Sequence, residues 1–442
     1  MVLFLYINFT INNIYYKMQK TIELFYETTG VCTDTRKIKK DCLFLCLKGD
    51  NFNGNEFAEK ALIEGAKYVI VDELKHKTND KIYLVDDVLK YLQKLANYHR
   101  KKFNIPVIGI TGSNGKTSTK ELIKIVLEKK YIVLATEGNL NNHIGVPLTL
   151  LNITKNHEIA IIEMGANKFK DIEELCDIAE PNYGIITNIG KAHLEGFINF
   201  EGVLKTKKEL YDSILKNHGT IIINGDDEIL IKNAPEVKKV NYGTTEKSDI
   251  KGELINLSPF VVMKWRSENY SSELISTKMI GKYNFYNFLA AIAFGKTFNI
   301  EPDKINEAIS EYTPDNKRSQ VQKTKNNTLI LDCYNANPSS MSTALESFAE
   351  INHTNKIAII GDMLELGDDS IKEHQNILDL TKKLNLNKIT VGPIFESINS
   401  DELKFSDTIK TAEYLKTSSF KDYLILLKGS RGIGLEKLEE SL

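Results

Sequence analysis

A short stretch, Gly109-Ile-Thr-Gly-Ser-Asn-Gly-Lys-Thr117, constrains this chain more than any other part of its sequence. It follows the β-branched run 106–111 and leads directly into helix-forming text. Glycines at 112 and 115 let the backbone curl so that successive N–H groups converge on phosphate oxygens. Lys116 then reaches the outer phosphates, and the Thr117 hydroxyl can ligate Mg2+. Gly112, Ser113, Asn114, Gly115, Lys116, Thr117 and Ser118 are therefore the candidate nucleotide-binding residues. Ile110 occupies the place of the leading glycine in the standard spacing. A merely structural glycine turn is the plain alternative, and the strand–loop–helix context argues against it.

The rest of the chain must supply the sheet that such a loop requires. A length of 442 residues implies two or three domains. Apolar runs over 42–47 and 68–71 read as buried strands, with a helix over 56–65 between them. After a helical stretch over 88–102, strands are expected at 106–111, 159–163, 183–188 and 220–224, separated by helices, and an apolar helix over 284–298 closes this part. A further alternating set follows, with strands at 328–332, 356–360, 388–391 and 424–427. Strands alternating with helices predict mostly parallel sheets. The expected fold is α/β with three domains: a small N-terminal α/β domain (18–92), a central P-loop-type mostly parallel α/β ATPase domain (93–312) and a C-terminal Rossmann-like α/β domain (313–442).

Composition excludes some partners. A net charge of −2 gives no electrostatic reason to expect nucleic acid or an anionic membrane. The five cysteines form no C-x-x-C pair and read as reduced thiols of a cytosolic protein. The apolar run 2–9 lacks a basic lead and is too short to span a bilayer, so residues 1–17 are taken as an extension. A cytoplasmic monomer without membrane insertion is expected.

Three further positions carry candidate chemistry. Glu163 ends an apolar strand, where ligands of parallel sheets gather, and its carboxylate can hold a divalent cation beside the loop; a helix cap is the plain reading. His193 lies just past another expected strand, where a satisfied hydrogen-bonding histidine is the commoner case. Lys205, Lys207 and Lys208 follow on an expected helix, by default as a solvated basic face.

Read together, TGSNGKT (111–117), GNLNNHIGVP (138–147), IEMGAN (162–167), NIGKAHLEGF (188–197) and KTKKEL (205–210) resemble, in order, the central domain of the Mur peptide ligases. CTDTRKI (32–38), LKGDNFNGNEF (47–57), DCYNANPSSM (332–341), GDMLELG (361–367) and LKGSRGIG (427–434) extend the likeness over nearly everything from about residue 20 onward. The flanking motifs point to the branch of the family that adds D-Ala-D-Ala to a UDP-N-acetylmuramoyl tripeptide. The alternatives are another muramyl ligase, folylpolyglutamate synthetase or a P-loop module that ligates nothing.

The resemblance implies roles that spacing alone does not. A peptide carboxylate would attack the γ-phosphate of ATP, and the dipeptide amine would then attack the resulting acyl phosphate, assisted by two Mg2+ ions. Thr117 and Glu163 would hold one ion and His193 the second. Lys207 would be carbamylated into an anionic oxygen ligand, with Lys205 the competing position in the K-x-K-K text. Lys116, Lys207 and His193 are thus the implied catalytic residues. Asn284 and Asn287 would face adenine, although Asn284 can equally be a helix cap, and Arg318 and Asp332 would reach phosphates and ribose. Thr33, Asp34, Thr35, Arg36, Asn51 and Asn53 would line the UDP end. Asn139, Asn142 and His143 would face the muramoyl peptide, and Tyr334, Asn335 and Asn337 the dipeptide. Polar turn residues are the plain alternative for all of these. The chain departs from the family at His143, Tyr283, Lys317, Cys333 and Leu331, none of which touches the loop, Glu163, His193 or Lys207.

Overall fold

The computed structural model describes residues 21–190, 194–197, 199–418 and 420–442. They form two compact units, one of residues up to 106 with 134–162 and 177–180, the other of 107–133, 163–176 and 181–442.

The first unit contains a four-stranded parallel sheet in the order Val31–Cys32, Leu43–Leu45, Tyr68–Val71, Ile82–Leu84. Phe44, Val69, Val71 and Ile82 pack with Cys42, Cys46, Ala58 and Ala61 into one core. The expected helix over 56–65 is shorter: a 3-10 turn covers Gly54–Phe57 and the helix runs Ala58–Ile63. A longer helix, Val88–Lys101, starts where Asp87 accepts from the Lys90 N–H at 2.9 Å. Its buried residues Val88, Tyr91, Leu92, Leu95, Ala96 and His99 recur at three and four positions, which is one face of a helix.

In the second unit, five strands lie side by side in parallel: Val107–Thr111, Tyr183–Ile186, Thr220–Asn224, Lys238–Gly243 and Ile250–Asn256. Val107 to Thr111 are all buried, as expected of a strand covered on both faces. The sheet then turns antiparallel through Val262–Ser267, which pairs with Tyr270–Ser271 and Ile275–Ser276. This extension was not expected from the sequence. Its strands mix lysine, glutamate and arginine with apolar residues, and only Trp265 and its neighbours mark a buried face.

The same unit carries a six-stranded sheet in the order Gln320–Lys323, Thr328–Leu331, Leu424–Lys428, Lys356–Gly361, Lys388–Val391, Lys404–Phe405. Only the first pair is antiparallel. Successive residues go to opposite faces. Leu329, Ile357, Ile359, Ile425 and Leu427 pack into one core, and Ile330, Ala358, Ile360, Leu424 and Leu426 into another. Because the strand Leu424–Lys428 sits between Thr328–Leu331 and Lys356–Gly361, the loops after all three leave the same edge of the sheet. Those loops carry YNANP, GDMLELG and KGSRGIG. No helix among the described residues is long and apolar enough to cross a membrane.

Candidate active site

The glycine loop follows its strand directly. Gly112 has φ +146° and Gly115 φ +80°, and Gly115 caps the helix Lys116–Leu127. A Cβ on Gly112 would fall 2.0 Å from Thr187 Oγ1 and 3.0 Å from the Thr187 nitrogen, so only glycine fits. The loop is held from behind by the turn after Tyr183–Ile186. Thr187 Oγ1 donates to the Asn114 carbonyl at 2.5 Å, and the Asn188 amide brackets Asn114, accepting from its N–H at 3.1 Å and donating to its carbonyl at 3.0 Å. Sequence reasoning assigned NIGKAH to His193 alone and missed that Thr187 and Asn188 shape the loop. His193 itself lies outside the described residues.

Lys116 Nζ donates to the Gly112 carbonyl at 2.8 Å. Burial lowers its pKa, Glu163 pulls it back up, and Arg318 adds repulsion. Glu163 is 2% exposed. Its place beside the loop follows from backbone pairing, since the Met164 N–H donates to the Ile110 carbonyl at 2.8 Å and Thr111 Oγ1 to the Met164 carbonyl at 2.8 Å. Thr117, at the first turn of the loop helix, is also buried.

Lys207 sits on the helix Phe200–Lys216, which begins where Asn199 accepts from the Gly202 N–H at 2.9 Å. Val203, Lys207, Leu210 and Ile214 share its inward stripe, so an amine stands in a row of hydrophobes. Lys207 is 2% exposed. Its pKa is well below the ordinary lysine value, mainly through burial and then through repulsion from Lys116, with Asp171 and Glu209 acting in the opposite direction. Lys205 instead is exposed and lies over the Phe169 ring. Among the described residues, no group of three or more His, Cys, Asp and Glu side chains is placed to hold a metal.

Asn284 and Asn287 are buried on the helix Lys282–Thr297, and Gly281 rather than Asn284 precedes its first turn as the cap. Their amides form a relay: Thr119 Oγ1 donates to Asn287 Oδ1 at 3.0 Å, Asn287 Nδ2 to Asn284 Oδ1 at 2.8 Å, and Asn284 Nδ2 to the Ile280 carbonyl at 2.7 Å. They tie this helix to the loop helix.

The Arg318 guanidinium lies 4.0 Å from the Tyr334 ring centroid and Arg431 lies 5.6 Å from the same centroid. Asp332 pairs with the buried Lys428 at 2.6 Å and accepts from the Ser319 N–H at 3.3 Å. Asn335 Oδ1 accepts from the Ala336 N–H, and Asn337 caps the helix Pro338–Glu350. Ser430 Oγ accepts from the Leu364 N–H at 2.9 Å and donates to the Ala336 carbonyl at 3.3 Å. It therefore fastens GDMLELG to YNANP, and His374 Nε2 secures the preceding residue by accepting from the Met363 N–H at 2.9 Å. The sequence showed no signal for His374, whereas Lys428, Ser430 and Arg431 lay in a quoted motif without assigned roles.

In the first unit, Asp34 accepts from Arg36 Nε at 2.9 Å and Nη2 at 2.8 Å, in the turn that includes Thr33 and Thr35. These hydrogen bonds bring the half-buried Asp34 carboxyl down to about 2. Asn51 is exposed at the tip of the hairpin Lys48–Gly49/Phe52–Asn53, and Asn53 Oδ1 accepts from the Asn55 N–H at 3.1 Å. Asn142 Oδ1 accepts from the Gly145 N–H at 2.9 Å at the start of the helix Gly145–Leu150. Asn139 and His143 are exposed nearby in sequence.

A curled glycine loop ahead of a helix, on a mostly parallel sheet, defines a P-loop-type α/β protein. Residues 27–100 match the model described as Mur ligase family, catalytic domain; 110–295 match the Mur ligase middle domain; and 317–431 match the Mur ligase, glutamate ligase domain. The chain is 35% identical over 438 residues to the UDP-N-acetylmuramoyl-tripeptide–D-alanyl-D-alanine ligase of Bacillus subtilis, covering 94% of each chain. It is 30% identical to the Escherichia coli ligase of the same name, covering 93% of each. The solved MurF ligase from Thermotoga maritima, in complex with ADP, superposes with a TM-score of 0.83 at 29% identity, covering 94% of this chain and 97% of that one. The chain belongs to the Mur ligase family.

Proposed function

We propose that this chain is an ATP-dependent amide-bond ligase that joins D-Ala-D-Ala to a UDP-N-acetylmuramoyl tripeptide in cytoplasmic peptidoglycan precursor synthesis. The observation that carries this reading is 30% and 35% identity to ligases of that name over 93% and 94% of each chain. The local chemistry supports it. A tripeptide carboxylate oxygen displaces ADP from the γ-phosphorus of ATP to give an acyl phosphate. The dipeptide amine then attacks the acyl carbon, phosphate leaves and the amine gives up a proton. The loop N–H groups from Gly112 to Thr117 would orient the triphosphate, and Lys116 would leave the Gly112 carbonyl for the outer phosphates.

The Thr117 hydroxyl and the buried Glu163 carboxylate are hard oxygen donors of the kind Mg2+ takes. When bound, Mg2+ supplies charge neutralisation at the transferring phosphate. Lys207 fits as a third donor once its neutral amine adds CO2, forming an N–C bond and releasing a proton to give a carbamate. Its burial favours that neutral amine, and the exposure of Lys205 argues against the competing position. His193 is proposed for a second ion. Asn284, Asn287, Arg318 and Asp332 are proposed on the nucleotide, Thr33 to Arg36 with Asn51 and Asn53 on UDP, and Asn139, Asn142 and His143 on the muramoyl peptide. Tyr334 and Asn335 are proposed on the dipeptide.

Phosphate release with UDP-muramoyl tripeptide and D-Ala-D-Ala tests the reading. Phosphate should appear only when both are present. Product with D-Glu, a diamino acid or a folate in place of the dipeptide, or ATP hydrolysis indifferent to both substrates, would overturn it.

A further inference from the structure

The phosphate loop and the YNANP loop are joined by one side-chain hydrogen bond, Asn337 Nδ2 donating to Asn114 Oδ1 at 2.8 Å. Both amides are oriented by their other partners. Asn337 Oδ1 accepts from the Ser340 N–H at 2.8 Å, while Ser340 Oγ accepts from the Asn337 N–H at 3.1 Å. This reciprocal cap leaves Nδ2 as the atom that faces Asn114. On the other side, the Asn114 main chain is clamped by Thr187 and Asn188. A second contact runs alongside. Gly190 exchanges hydrogen bonds with Ser113 Oγ at 2.9 and 3.0 Å, and a Cβ on Gly190 would fall 2.8 Å from Ser339 Oγ. Asn114 thus meets the N-cap of the helix Pro338–Glu350 directly, and Ser113 approaches its first turn through Gly190. Behind Asn337, the Ala336 carbonyl is held by Ser430, which also holds GDMLELG.

We propose that Asn337 is a positioning residue: its amide orders Asn114, and so couples the arrangement of the acceptor-side loop to nucleotide affinity. The inference rests on the reading that residues 112–118 hold the nucleotide and that Tyr334 and Asn335 face the incoming dipeptide. Asn337 itself then acts through Asn114, not on the dipeptide. Coupling of this kind is reciprocal: a dipeptide that orders the YNANP loop tightens nucleotide binding, and nucleotide tightens dipeptide binding by the same factor.

The test is calorimetric titration of ADP with Mg2+ into wild type, Asn337→Ser, Asn114→Ala and the double variant, each with and without D-Ala-D-Ala. Serine retains a capping oxygen but is too short to reach Asn114, so the helix start is preserved. Unchanged thermal midpoints check that the variants are folded. Asn337→Ser should weaken ADP about 3- to 10-fold in the wild-type background, the range of one net hydrogen bond. It should change affinity less than about 2-fold once Asn114 is alanine, because the bond is already gone. D-Ala-D-Ala should tighten ADP binding to wild type and not to Asn337→Ser. Equal effects of Asn337→Ser in both backgrounds, or dipeptide coupling that survives it, would overturn the proposal while leaving the nucleotide site intact. Failure of the wild type to bind ADP would instead overturn the nucleotide reading itself.

Discussion

Replacing Lys207 should move stability and activity in opposite directions. The side chain is 2% exposed, and the Phe197 ring centroid lies 5.6 Å from its Nζ. Burial and the Lys116 charge both disfavour its ammonium form, and of the opposing carboxylates Glu209 already accepts from the Lys170 and Glu173 N–H groups at 2.9 and 2.8 Å. Methionine is of similar length and has no ionisable group to desolvate. Exchanging buried ionic groups for well-packed hydrophobes is commonly worth about 1–4 kcal/mol. A single amine that is held toward neutrality belongs at the low end, so Lys207→Met should gain about 1–2 kcal/mol, read as a higher urea midpoint at unchanged slope. Turnover should fall about 100-fold or more, as when a charge-stabilising group is removed from a transition state.

The pH dependence carries a sign of its own. With the folded pKa below the usual 10.5, the unfolded chain binds the proton more readily. In protein kept free of CO2, where Lys207 is an unmodified amine, wild-type stability therefore rises with pH from the folded value up to 10.5, and Lys207→Met should flatten that rise. In Lys207→Ala, which leaves space, a short carboxylate such as acetate should restore part of the turnover by supplying the missing oxygen donor. A Lys207→Met protein that is less stable and fully active would refute the reasoning, because Lys207 would then be only a packing residue.

Two other perturbations test the site and the first unit. Gly112→Ala places a Cβ 2.0 Å from Thr187 Oγ1 and 3.0 Å from a backbone nitrogen that cannot rotate away. Strain and overpacking together should cost about 2–6 kcal/mol and weaken ADP tenfold or more, measured by urea unfolding and calorimetry; wild-type affinity would count against the loop geometry. His99 is buried, with Nε2 2.8 Å from the Ile153 carbonyl and Nδ1 3.1 Å from the Tyr26 hydroxyl. A carbonyl can only accept, so Nε2 carries a proton, and burial lowers the ring's pKa below 6.5, which favours its neutral form. Stability should fall as pH drops below 6.5 toward the folded value, and His99→Gln should remove that slope in urea midpoints taken across the window.

The sequence by itself determined the local grammar. A β-branched strand, a glycine pair and a lysine–threonine dipeptide are contiguous, so the loop is legible from 106–118, and the four inner strands of the third domain are legible because they are buried on both faces, whereas its edge strands Gln320–Lys323 and Lys404–Phe405 are not. The antiparallel extension through Ile250–Asn256 and Val262–Ser267 escaped, since charged residues on its open face break the apolar pattern. Only the tertiary structure decided which lysine of K-x-K-K is buried, because that depends on which side of the helix Phe200–Lys216 meets the core. It also decided that Thr187 and Asn188 brace the loop, that Ser430 fastens one motif to another, and that Asn337 reaches Asn114 across 223 positions of chain. A hydrogen bond between residues so far apart in sequence leaves no periodicity to read; it exists only once the sheets have brought their loops to one edge.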